Sequence, residues 1–244
     1  MDLLRQVVAK APGRADYVFD FVEALLESVL RRGAGGPGGA NGPGGPGRDR
    51  ERSQADIEAR LVVLREAMEH AEVLLQAQPD VADVVALAAR VGSELGATLR
   101  DAASLAAGDE RAARLRQAES ALLAAVVLET KLVDPAGGSD PRHLLQAIGT
   151  RRELAALYLA SGRRPDALQQ ASFVLDLLES QAAAAPVDPS APNRRRLAAL
   201  FDQRPVMGLE DLVQRLQESG LHQRWQALRQ QFPRPGEPPP DRRR

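Results

Sequence analysis

Chemistry needs side chains that can hold a metal, move a proton or attack a bond, and this chain offers few of them in usable arrangements. Its three histidines, His70, His143 and His222, stand far apart. None belongs to a His-Glu-x-x-His run or to another close ligand pair. Cysteine is absent, which excludes disulfides, thiolate catalysis and cysteine-bound zinc together. The carboxylate pairs Asp109-Glu110 and Glu210-Asp211 are expected at helix starts, where they complement the positive end of the helix. General acid–base work would need a pocket around them, and the sequence shows none. The stretch GAGGPGGANGPGGPG, 33–47, could cradle a phosphate only with a Gly-Lys-Ser/Thr element leading from a strand into a helix, and it contains no lysine. The arginine runs at 194–196 and 242–244 could touch a nucleic acid, but without interleaved aromatics they read as solvated charge. The chain is therefore expected to be non-enzymatic, with no catalytic, cofactor-binding or metal-ligating residues, and nucleic acid is not the expected partner.

The elements that would position any binding residue are helical. Hydrophobic residues make up 44% of the 244, yet aromatics only 3%, so a core must be built from Leu, Val and Ala. Those residues favour helices packed closely side by side, and the residues that favour strands are sparse. A formal charge of -1 argues against wholesale attraction to nucleic acid or anionic lipid. The longest apolar run, ALLAAVVL at 121–128, is far too short to span a bilayer. The start lacks the pattern of a secretory signal. A cytoplasmic location and no membrane partner are expected.

Periodicity then lays out the helices. Tyr17, Phe21, Ala24, Leu25 and Val29 share one face of a helix ending at Gly33. Ile57, Leu61, Leu64, Met68, Ala71 and Leu75 mark the next, with Ser53 and Asp56 resembling a capping start and Pro79 following its end. Asp80 is the expected N-cap of a helix striped by Val84, Leu87, Val91, Leu95 and Leu99. Gly108-Asp109 restarts the chain into a helix carrying Leu115, Ala118, Leu122, Ala125 and Leu128. Asp140-Pro141 opens another, because proline suits the first helical position. A further helix follows the turn at SGRRPDALQ, and a C-terminal pair carries Leu209, Leu212, Val213 and Leu216, then Leu221, Trp225, Leu228 and Phe232. Helices of this kind, apolar on one face, must stack to bury it. The expected organisation is a helical repeat domain over 1–184 with a Gly/Pro-rich flexible loop at 33–52. A linker at 185–207, a capping helix pair at 208–232 and a disordered tail at 233–244 complete it.

Leu154, Ala155, Tyr158, Gly162 and Ala167 stand at the spacing of the tetratricopeptide repeat, and this segment resembles that family's helical hairpin of about 34 residues. Arg151 stands where the family has tryptophan, and Ala171 where its second helix has an aromatic. Elsewhere fragments match, chiefly Ala67, Ala71, Leu74, Leu75 and Pro79. The resemblance implies an all-α fold of stacked antiparallel hairpins, an α-solenoid. It also implies a scaffold that binds a peptide or helix of a partner protein on its concave face, with Arg152, Ala156 and Leu159 facing the partner. Leu159 has the alternative of packing against a neighbouring hairpin. Pro12 and Pro79 would each close a hairpin, which makes the opening DLLRQVVAKAP a second helix without its first. That register suggests an alternative: the C-terminal regulatory or docking region of a larger bacterial signalling protein, such as a serine/threonine kinase.

Overall fold

The computed structural model describes residues 2–11, 13–34, 46–134, 139–185 and 192–232. Pro12, Pro135, the glycine-rich core of the expected loop at 35–45 and the tail from 233 lie outside the described residues. The described chain is all-helical, with ten helices and no strand. It divides into two compact units, Met1–Leu128 and Glu129–Arg244.

The first unit contains α1 (Asp2–Lys10), α2 (Ala15–Ala34), α3 (Pro46–Ala77), α4 (Ala82–Leu105) and almost all of α5 (Gly108–Glu129). Its core is formed where Phe21, Val22, Leu25 and Val29 of α2 meet Leu64, Ala67, Ala71 and Leu74 of α3 and Val84, Leu87, Ala88 and Val91 of α4. The expected stripes are those that are buried, except that α3 turns Ala67 and Leu74 fully inward and leaves Met68 and Leu75 at the margin. Two starts differ from expectation. α3 begins at Pro46, so Ser53 and Asp56 lie within it and cap nothing, and 46–52 are helical where a loop was expected. α4 is led by Val81 at the N-cap with no side-chain bond, whereas Asp80 stays exposed beside Pro79 in the turn.

Helices α4 and α5 approach closely because α4 carries glycine at the contact. A Cβ on Gly92 would lie 3.4 Å from Ala125 Cβ, and one on Gly96 would lie 2.5 Å from Leu122 Cγ. The α5 stripe of Ala118, Leu122 and Ala125 is correspondingly buried. Arg114 Nη1 of α5 reaches Glu58 of α3 at 2.7 Å.

The second unit contains α6 (Pro141–Ala160), α7 (Arg164–Ala184), α8 (Pro192–Leu200), α9 (Arg204–Leu216) and α10 (Ser219–Gln231). Asp140 caps α6 as expected, its Oδ1 accepting the backbone N–H of Arg142 at 2.8 Å. That bond and the Arg142 guanidinium hold the Asp140 carboxyl down at about 2. The α6–α7 turn is a Schellman motif. Gly162 takes φ +73, its N–H reaches Leu159 O, and the Arg163 N–H reaches Tyr158 O at 2.8 Å. The segment expected as a linker includes a helix, α8, whose Leu197 and Leu200 are buried. α9 and α10 pack against α6, α7 and each other. Phe201, Trp225 and Phe232 form a stack there, with Phe201 4.8 Å from Phe232 and 6.1 Å from Trp225.

Candidate functional site

The hairpin that carries the family resemblance is assembled as its residue types require. Leu154, Ala155 and Ala167 are fully buried, so α6 and α7 come together on small side chains, and Tyr158 is buried beside them under the Arg163 guanidinium at 4.3 Å. Arg152, Ala156 and Leu159, the three residues expected to face a partner, are half-buried. Arg152 meets the chain's own α9 instead. Its guanidinium lies against Gly208 and Pro205, where a side chain larger than glycine at 208 would collide with it, and its Nη2 holds Glu153 at 2.6 Å. Gly149, one turn earlier, faces Pro205, and at the other end Arg164 donates to the carbonyl of Leu216. α9 thus runs along α6 from Gly149 to the start of α7.

The other expected chemical groups are dispersed. His70 meets the edge of Phe21 at 5.1 Å, while His143 sits half-buried on α6 and His222 exposed on α10. Asp109 and Glu110 do open α5, where Glu110 pairs with Arg114 at 2.7 Å. Glu210 and Asp211 fall in the middle of α9, so they complement no helix end. Of the arginine run at 194–196, Arg194 covers the ring of Phe232 at 4.9 Å, where solvated charge was expected. Among the described residues no group of three His, Cys, Asp or Glu could hold a metal ion, and no helix is long and apolar enough to cross a membrane.

One constellation escaped the sequence reading. Glu129, the last residue of α5, is 2% exposed, and its Oε1 accepts from the Thr150 hydroxyl of α6 at 2.5 Å. Its Oε2 is buried without a hydrogen-bond partner. Burial pushes this carboxyl up to about 7, against the opposing influence of Thr150, the Arg151 charge and Gln146. Protonation suits the geometry at Oε1, because Thr150 Oγ1 also lies 3.1 Å from the Gln146 carbonyl, and a hydroxyl has one proton to give. With Glu129 protonated, its O–H can serve Thr150 while Thr150 serves Gln146. Arg151 stands alongside, its Nη1 bonded to Gln170 Oε1 at 3.0 Å and its guanidinium stacked 3.5 Å from the centre of the Phe173 ring. Burial lowers the Arg151 pKa, and the nearby Glu129 opposes that.

These groups line a cavity of about 250 Å³ together with Thr130, Val133, Ala147 and Leu177. Most of its wall is apolar, and one carboxyl oxygen within it lacks a partner. Such a pocket, mostly hydrophobic with a few polar groups, is what orients a bound group. The sequence did contain a signal. Ala118, Leu122, Ala125 and Glu129 follow one another at spacings of four, three and four, so Glu129 occupies the next core position of an apolar stripe. The aromatic beside Arg151 was hidden because it comes from Phe173, two residues beyond the buried Ala171. Comparison with known protein families and with curated proteins gives no match to this chain.

Proposed function

We propose that the chain is a non-enzymatic interaction scaffold of tetratricopeptide-repeat type that binds a peptide or helix of a partner protein. The observation that carries this reading is the α6–α7 hairpin. Ala155 and Ala167 are fully buried, Tyr158 is packed beside them, and Gly162 is left-handed in a complete Schellman turn, all in the order the family's motif requires. Stacked hairpins of this kind present extended faces to partners rather than a single deep catalytic cleft. The resemblance puts the partner against Arg152, Ala156 and Leu159. With α9 lying along that side of α6, the partner's place in the second unit is the opposite opening, at Arg151 and Phe173. Phe173 is 40% exposed despite its size, and it borders the cavity.

The test is a photo-crosslinking amino acid at position 173, compared with one at Gln230, which is exposed on α10. A discrete protein adduct from position 173 and none from position 230 is expected. No adduct from 173, or the same adducts from both, overturns the assignment.

A further inference from the structure

The cavity beside Phe173 has a chemical preference of its own, and the inference from it rests on the scaffold reading for the source of its occupant. Three features select the occupant. The first is Glu129 Oε2, a buried acceptor without a donor. Leaving such a group unsatisfied is costly, and only a donor, directly or through water, relieves it when the carboxyl is ionised. The second is that a single oxygen is on offer, since Oε1 is engaged by Thr150. A guanidinium prefers to grip both carboxylate oxygens in its planar fork, whereas an ammonium is a compact point charge that one oxygen can accept. The third is size: about 250 Å³ lies below the roughly 300–1,000 Å³ of drug-sized ligand sites and suits one long side chain.

We propose that this cavity receives a lysine side chain of the protein partner, with Glu129 Oε2 accepting from its ammonium and Val133, Ala147, Phe173 and Leu177 packing along its methylene stem. Arg151 is the cation already on the wall, and its guanidinium is committed to the Phe173 ring and to Gln170 Oε1. The other lining residues, from the segment after α5, from α6 and from α7, carry no charge. The ion pair needs ionised Glu129, whose carboxyl titrates at about 7, so binding strengthens with rising pH and releases a proton.

The probe is n-butylamine, the lysine side chain cut free, titrated into the ¹⁵N-labelled full chain and followed by NMR, with n-butanol as the uncharged control. Butylamine is expected to shift the amides of Thr130, Ala147 and Phe173. It should bind about tenfold more tightly than butanol, the margin of a charge-assisted hydrogen bond. It should also bind about tenfold more tightly at pH 8 than at pH 6, as the ionised fraction of a group titrating near 7 dictates. Glu129→Gln should erase both differences. Equal binding of amine and alcohol, no shifts at these amides, or a preference that survives Glu129→Gln would each overturn the site. If Glu129→Gln does not fold, the amine, alcohol and pH comparison on the wild-type chain decides alone. Amine binding as described, without a protein adduct from position 173, would keep the ammonium site and overturn the partner protein as its source.

Discussion

The two compact units close their cores by opposite means. In the first, backbones approach on Gly92, Gly96 and a set of alanines, and among the described buried residues Thr98 is its one polar side chain. The crevice between α3, α4 and α5 holds about 30 Å³. In the second, bulk does the filling. Phe201, Trp225 and Phe232 stack among α8, α9 and α10, and three polar side chains, Glu129, Thr150 and Gln181, are buried. Its cavity beside Phe173 holds about 250 Å³. Small residues let helices meet without gaps, whereas large ones hold elements apart, and the space left over is where a polar group can be buried and a ligand admitted.

The strongest way to break that contrast is at the aromatic stack. Phe201 is 1% exposed and touches both other rings, so truncating it leaves a cavity that its rigid neighbours cannot collapse into. Phe201→Ala is expected to cost about 4 kcal/mol, read as a lowered urea midpoint. Trp225, the single tryptophan, is 6.1 Å away and supplies the fluorescence signal. A loss below about 1 kcal/mol would mean that this end is held by something other than its rings.

Much of this was legible before any coordinates. The stripes on α4 and α5, the Asp140 cap and the C-terminal series from Leu209 to Phe232 follow from periodicity and capping chemistry, which are local properties. α8 was not legible, because PNRRRLAAL has only two apolar anchors and its helix depends on docking Leu197 and Leu200. Nor was the fate of Arg152. Which side of α6 stays open depends on where α9 lands, and that is decided by Gly208, 56 positions away, leaving room for a guanidinium. The Glu129 cavity needed α5, α6 and α7 brought together, and only the odd carboxyl in an apolar stripe hinted at it.

Glu129 sharpens the comparison from the polar side. Its carboxyl titrates at about 7 when folded and near its ordinary 4.5 when unfolded, so between these values the native state holds a proton that the unfolded chain has released. Stability is therefore highest below about pH 4.5 as far as this group is concerned, and it falls by about 3 kcal/mol as pH rises through 7. Glu129→Gln should flatten that segment of the stability–pH curve and leave the variant more stable than wild type at pH 8. Urea melts at pH 5, 6, 7 and 8 measure it. A wild-type curve already flat across this range would show that the carboxyl is hydrated or paired in solution.

The smallest effect tests the first unit's side of the argument, with two identical substitutions one helical turn apart. Gly92→Ala and Gly96→Ala both gain about 0.5–1 kcal/mol of helix propensity in the interior of α4. At 92 the new methyl would meet Ala125 Cβ and Ala121 O at 3.4 Å, a tight but tolerable contact, so the gain is roughly cancelled and the net change is near zero. At 96 it would fall 2.5 Å from Leu122 Cγ and 3.1 Å from Ala118 O. Leu122 is fully buried and cannot retreat without moving its neighbours, so overpacking outweighs propensity and the net cost is about 1–2 kcal/mol. Thermal melts by circular dichroism separate the two variants. Equal melting temperatures would mean that α4 and α5 are not held together by backbone proximity, and the contrast with the aromatic-filled unit would then lose its basis.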